Sequence, residues 1–255
     1  SLKGLRITAG FDDFPHAVRR EVRPRLHRTA IPADIQAIHR VVMRGASTPT
    51  GLMIAPGING FSKELNDRYP YDPEGAKKLL ADAGYPQGFP VTLDCPNDRY
   101  VNDEAICQAV VPMLARVGIN IKLNSQTKSK HFDKIGTRSG NDTSFYMLGW
   151  TPGTYDAHNM LYNILMTRNQ QTGTGSNNSG RYSNSKLDEL TNQIGSESDR
   201  EKRNRMIHDA MKIHKEDFGH IPLHQQALAW GVRENVVYLP QPPNDSVMVR
   251  VVRMK

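Results

Sequence analysis

The alternation of apolar and polar positions is clearest at residues 71–86, YDPEGAKKLLADAGYP. Ala76, Leu79, Leu80 and Ala83 share one face at a 3.6-residue period. Asp72 is placed to cap the first turn, Pro73 suits the first helical position, and Gly84 with Pro86 stops the helix. VTLDC (91–95) then alternates as a strand, and residues 102–119 read as a helix with Asn102 as its cap and Asp103 and Glu104 in its first turn. Pro112 is expected to kink that helix, because it removes a backbone donor and crowds the carbonyl of Gln108. INIKLN (119–124) and SFYMLGW (144–150) are further strands, the second apolar enough for the inside of a sheet, with a polar helical segment around 128–138 between them.

Beyond these, DAHNMLYNILM (156–166) reads as a helix, followed by a polar, glycine-rich stretch at 168–185 that a compact domain would either employ or leave mobile. Two amphipathic helices follow. The first opens with Ser185 and Asp188 in capping-box spacing and carries Leu187, Leu190, Thr191 and Ile194 on one face. The second turns Met206, Ile207, Ala210, Met211, His214 and Phe218 inward. After Pro222 the texture changes to short apolar runs, LAWGV, VVYL and VMVRVV, which read as strands, with Gly231 or Pro240 as a possible boundary. Strands alternating with helices make the centre of the chain α/β.

Composition changes this picture little. The 255 residues are 38% hydrophobic and 23% charged, ordinary for a globular protein, and no run approaches the roughly 18 apolar residues of a membrane span. SLKGLRITAG, the first ten residues, has neither the apolar core nor the cleavage site of a signal peptide. A net charge of +7 raises nucleic acid as a partner, but the basic cluster (Arg19, Arg20, Arg23, Arg25, Arg28, Arg40, Arg44) lies among apolar residues at helical spacing, without a nucleic-acid motif. Solvated helix faces are the reading adopted. Cys95 and Cys107 have no CxxC context; the spacing allows a disulfide without implying one, and two separately buried thiols are the reading preferred.

Enzyme motifs are absent: no GxSxG, phosphate loop, GxGxxG or HExxH. His220 and His224 have helical ligand spacing, yet Pro222 between them forbids a regular helix, and in a strand they would be about 13 Å apart. His208 and His214 would point about 120° apart on a helix, so no metal or cofactor is expected. The remaining chemistry lies at strand ends, where open α/β sheets bind ligands. CPNDRYVND carries Arg99, Tyr100 and Asn102 before a helix N-terminus suited to an anion. GWTPGTYDAHN carries Trp150, Thr151, Tyr155 and Asp156, the last equally suited to capping the helix that follows.

In order and spacing, VMRGASTP, YPYDPEGAKKLLADAGYPQGFPVTL, MLARVGINIKL, SFYMLGW, SGRYSNSKLDEL and HKEDFGHIPLHQQ resemble the periplasmic dipeptide/oligopeptide (family 5) solute-binding proteins of ABC importers. The resemblance runs from about residue 11 to the C-terminus. It implies a periplasmic-binding-protein-like second lobe, with a mixed sheet flanked by helices, over residues 1–227. Residues 228–255 would be return strands that cross back to a first lobe, most of which, like a signal peptide, lies outside this chain. It also implies capture of a small-molecule or peptide-like solute in the periplasm for an ABC permease, without catalysis, nucleic acid or a membrane span. The alternative is the ligand-sensing lobe of a cytoplasmic transcription regulator.

On this reading Trp150 is a stacking wall, Thr151 and Tyr155 are hydrogen-bond partners, Arg99, Tyr100 and Asn102 form a second cluster, and Asn177 or Arg181 reaches the cleft. Three departures qualify the resemblance. Gly153 stands where peptide-binding relatives carry an aspartate for the peptide amino group, with Asp156 matching a later, helix-capping aspartate. Glu104 and Ala105 stand where dipeptide binders carry an arginine for the carboxylate, and Pro32 interrupts a usual Ala-Ile-Asp helix start. The expected solute is therefore not an ordinary peptide held by its free amine.

Overall fold

A six-stranded sheet in the order β2-β6-β1-β5-β3-β4 divides the molecule into two apolar layers. The computed structural model describes residues 33–136, 143, 145–227, 231–238 and 252–255, and residues 2–9 as backbone. The basic positions 19–28 and the stretch around Pro32 lie outside these residues, as do most of LAWGV and VMVRVV. The strands are β1 (Leu2–Ala9), β2 (Ser47–Pro49), β3 (Phe89–Pro96), β4 (Ile119–Gln126), β5 (Phe145–Trp150) and β6 (Ile221–Ala227). β3 runs parallel to both β4 and β5, whereas β1 is antiparallel to β5 and β6, and β2 to β6. The sheet is mixed, and the carboxyl ends of β3, β4 and β5 share one edge. β7 (Val236–Tyr238) and β8 (Val252–Met254) pair with each other in a second, two-stranded sheet.

β5 shows how the sequence builds the two layers. Strand side chains alternate between faces, so Phe145 and Met147 enter one core and Tyr146 and Leu148 the other. On the first face pack α2 (Pro73–Asp82) and α3 (Asp103–Ala115), through Leu79, Leu80, Ile106, Val110 and Leu114. On the second pack α5 (Ala157–Met160, continued by a π-helical turn Leu161–Leu165), α6 (Ser185–Ser196) and α7 (Arg200–Asp217). A short helix α1 (Ile35–Ala37) with its own π-helical turn, Ile38–Val42, packs against the first core, and α4 (Lys128–Ile135) precedes β5. Helix α2 follows its sequence signature: Asp72 accepts from Gly75 N at 2.8 Å, with Pro73 in the first turn. No helix among the described residues is long and apolar enough to cross a membrane.

Several expectations change. Cys95 and Cys107 form a disulfide across a separation of 12 residues, joining β3 to α3, rather than two separate thiols. Asn102 does not cap α3: it takes a left-handed conformation (φ 56°) and donates to Val42 O instead. The buried Asp103 carboxylate gathers that turn, accepting from the Arg99, Tyr100 and Glu104 amides at 2.9 Å. Its charge already occupies the position where an external anion was expected. Helix α6 is capped by Asn184, which accepts from the Lys186 and Leu187 amides, and not by Ser185. Strands β1, β2 and β6 were not anticipated. β6 escaped because IPLHQQA has a proline and two glutamines, yet Gln225 and Gln226 are buried and Gln225 Nε2 donates to Ile54 O.

Candidate functional site

Two loops meet at the shared carboxyl edge of the parallel strands. One, residues 97–102, follows β3 and is held at both sides by the disulfide and at its centre by Asp103. The other, residues 151–156, follows β5. Tyr100 joins them: its hydroxyl accepts from Gly149 N at 2.8 Å and lies 3.4 Å from Gly149 O, so the buried phenol docks on the end of β5. Arg99 extends over the Tyr100 ring with its guanidinium carbon 5.0 Å from the centroid, a cation–π contact on the exposed side.

Between the loops opens a cleft of about 250 Å³ lined by Arg99, Tyr100, Phe132, Trp150, Thr151 and Asn177 with the β5 residues Leu148 and Gly149. Trp150 is held at one end, its indole Nε1 donating to Asn159 Oδ1 at 3.1 Å. Phe132 reaches the cleft from α4, and α4 is anchored by a network at the strand ends. There the buried Asp94 accepts from Asn124 at 2.6 Å, Thr143 at 2.7 Å and Lys134 at 2.8 Å. His131 on the same helix is fully buried with Nε2 3.0 Å from Met147 O. Burial lowers its pKa, overriding the opposing hydrogen bond to Met147.

Five anticipated residues therefore share one cleft: Arg99, Tyr100, Trp150, Thr151 and Asn177. Four do not line it. Asn102 turns away toward Val42. Tyr155 has φ 57° and packs against the second core, and neither its hydroxyl nor Thr151 Oγ1 has a hydrogen-bond partner among the described residues. Asp156 accepts from His158 N, from Asn59 Nδ2 and, through both oxygens, from Arg203 at 2.7 and 2.9 Å. Burial alone would raise its pKa, but these hydrogen bonds outweigh burial and hold it below the ordinary carboxylate value. Arg181 lines a separate cleft with Arg168.

Sequence reading missed Phe132, Leu148 and Gly149. Phe132 was visible as the lone aromatic of a polar helix, and Gly149 as a glycine where a strand meets a tryptophan. The departures also acquire geometry. Gly153 is exposed, and a Cβ there would meet nothing within 4 Å, so an aspartate would fit. Glu104 accepts from Ser125 Oγ at 2.9 Å. The histidine pairs considered above do not form; His214 Nε2 instead lies 2.8 Å from His220 Nδ1 in the interior. No group of three or more His, Cys, Asp or Glu side chains among the described residues could hold a metal ion.

Comparison with known proteins adds an independent line. The family model described as bacterial extracellular solute-binding proteins, family 5 middle region, matches residues 30–172. Heme-binding protein A of Haemophilus influenzae is 31% identical over 211 residues, 82% of this chain and 36% of that protein. The glutathione-binding protein GsiB of Escherichia coli K12 is 26% identical over 190 residues, 73% of this chain and 36% of its own length. The chain thus spans little more than a third of these relatives. Among solved structures, HbpA2 from Haemophilus parasuis superposes on all of this chain and 48% of its own with a TM-score of 0.80 at 22% identity.

Proposed function

Since the chain belongs to the family 5 bacterial extracellular solute-binding proteins, we propose that it is a ligand-binding lobe of a receptor that captures a solute outside the cytoplasm for an ABC importer. In this reading residues 1–227 form the second lobe and 228–255 the segment that returns to a first lobe. Closure of the two lobes buries the solute and presents a surface to the permease. The lobe binds and does not catalyse.

The observation that carries the reading is the convergence of Arg99, Tyr100, Trp150, Thr151 and Asn177 on one cleft at the carboxyl edge of three parallel strands, where open α/β sheets bind ligands. Trp150 and Phe132 offer apolar faces, Arg99 a cation, and Thr151 and Asn177 polar groups. They suit a compact solute with an apolar or aromatic part and an anionic group. Gly153 and Glu104 support a solute other than a peptide held by its free amine and carboxylate. The relative named for heme is consistent with a ligand other than a linear peptide. The buried Cys95–Cys107 disulfide favours an oxidising compartment, and so the receptor over a cytoplasmic regulator.

The test is native mass spectrometry of the protein expressed as its gene encodes it and purified without denaturant. A co-purified small solute bearing a carboxylate or other anionic group is expected. A linear peptide with a free amino terminus bound there would overturn the ligand assignment.

A further inference from the structure

Trp150 and Asn177 line the same cleft yet lie far apart in the sequence, and one helical segment holds both. That segment is α5 with its π-helical turn, residues 157–165. It is firmly seated. Met160, Leu161, Ile164 and Leu165 are fully buried in the second core, and at its start Asp156 is clamped by Arg203 through both carboxylate oxygens. Asn159 and Asn163, four positions apart and half-buried, are joined to each other, Asn163 Nδ2 donating to Asn159 O at 2.7 Å. Asn159 Oδ1 is the acceptor that holds the Trp150 indole.

The glycine-rich stretch after α5 docks on the second of these asparagines. Asn177 N donates to Asn163 O at 2.9 Å and Ser176 Oγ to Asn163 Oδ1 at 3.4 Å, while Asn177 Nδ2 donates to Ser176 Oγ at 3.2 Å. Gly175 N donates to Tyr162 O at 2.8 Å from a left-handed conformation (φ 59°), and a Cβ there would collide with the Met166 carbonyl, so glycine permits this close approach. On the other side of Asn177, the fully buried Asn178 donates to Met166 O at 2.9 Å and Tyr182 O at 2.7 Å and accepts from Tyr182 N. The stretch is thus braced, and its bracing delivers Asn177 to the cleft. Neither Asn159 nor Asn163 lines that cleft; each acts on it through a residue that does.

We infer that Asn159 and Asn163 are positioning residues of the binding cleft: Asn159 holds the Trp150 wall and Asn163 seats Ser176 and Asn177, so the aromatic and polar sides share one mount. The inference rests on reading this cleft as the solute site. Groups held in place beforehand need not be ordered when a solute binds, which favours affinity without an added contact. The test follows hydrogen exchange by nitrogen-15 NMR in the 255-residue chain without solute, the Trp150 indole signal being told from that of Trp230 by a Trp150→Phe spectrum. Asn159→Leu, which removes the acceptor at similar size, should speed exchange of the Trp150 Nε1–H roughly fivefold or more, while Asn159→Asp, which keeps an acceptor oxygen, should stay near the parent. Asn163→Leu should speed exchange at the Asn177 N–H by a similar factor, although the backbone acceptor there remains. Asn159→Ala and Asn163→Ala repeat the comparison without added bulk. Amides of β3 and β4 should keep the parent rates throughout. Sodium benzoate, an aromatic carboxylate probe, should shift the parent's Trp150 indole signal saturably and bind Asn159→Leu and Asn163→Leu roughly fivefold more weakly. Unchanged exchange at Trp150 and Asn177, an equal rise in Asn159→Asp, a uniform rise through β3 and β4, or benzoate affinity equal to the parent's in both leucine variants would overturn the inference. A parent that ignores benzoate would instead count against the solute reading of the cleft, with the exchange rates still deciding the positioning.

Discussion

A methyl group on residue 149 would lie 2.6 Å from Tyr100 Cε1, so the end of β5 accepts the phenol only because it carries glycine. Gly149→Ala should displace Tyr100 and cost about 1–3 kcal/mol through overpacking, measured by urea denaturation. Unchanged stability would mean that the ring is not docked as described. His224 gives a second residue-scale expectation. It is fully buried on β6, neither ring nitrogen has a hydrogen-bond partner among the described residues, and its pKa is lowered to about 4 by burial, then by His39 and Arg68. The unfolded chain binds the proton more readily. This group's contribution is therefore intact above about pH 6.5 and declines as pH falls toward 4, by an amount on the order of 3 kcal/mol. Denaturation curves of the parent and His224→Gln across that range should differ in slope by that contribution, and parallel curves would contradict it.

At the scale of elements, the loop bearing Arg99 and Tyr100 is clamped between β3 and α3 by Cys95–Cys107. Closing a loop of this length restricts the unfolded chain by about 3 kcal/mol in the chain-entropy model. The Cys95→Ser, Cys107→Ser double variant should lose a comparable stability in denaturation measurements, and an undiminished midpoint would show that the clamp is dispensable. This pairing was not legible in the sequence, because a spacing of 12 residues does not reveal which partners the fold brings together. Helix α2 was legible because cap, stripe and stop all agree within one segment. The start of α3 was legible, with Asn102 at the cap position and Asp103 first in the helix, but composition did not show that the Asp103 carboxylate rather than the Asn102 side chain organises the turn. β6 was missed because buried glutamines, Gln225 bonded to the Ile54 carbonyl among them, look in sequence like solvent-facing residues.

For the whole molecule, the alternation of strand and helix was enough to give the α/β class, and the position of strand ends was enough to nominate Arg99, Tyr100, Trp150 and Thr151. What pattern alone could not give was the order of the sheet. β1, from the start of the chain, lies between β5 and β6, and such long-range pairing leaves no local trace. The same limit separated Arg181 from the cleft to which it was assigned, since its direction is set by the bracing of its loop through Asn178. The fold nonetheless brings Arg99, Tyr100, Phe132 and Trp150 to one cleft, and the proposed site makes Trp150 its aromatic wall. The most direct test of that assignment is calorimetric titration of the solute identified by mass spectrometry into the protein as its gene encodes it, alongside a folded Trp150→Ala variant. A loss of roughly tenfold or more in affinity is predicted from removing a stacked aromatic wall; full affinity in the variant would contradict the placement of the binding site.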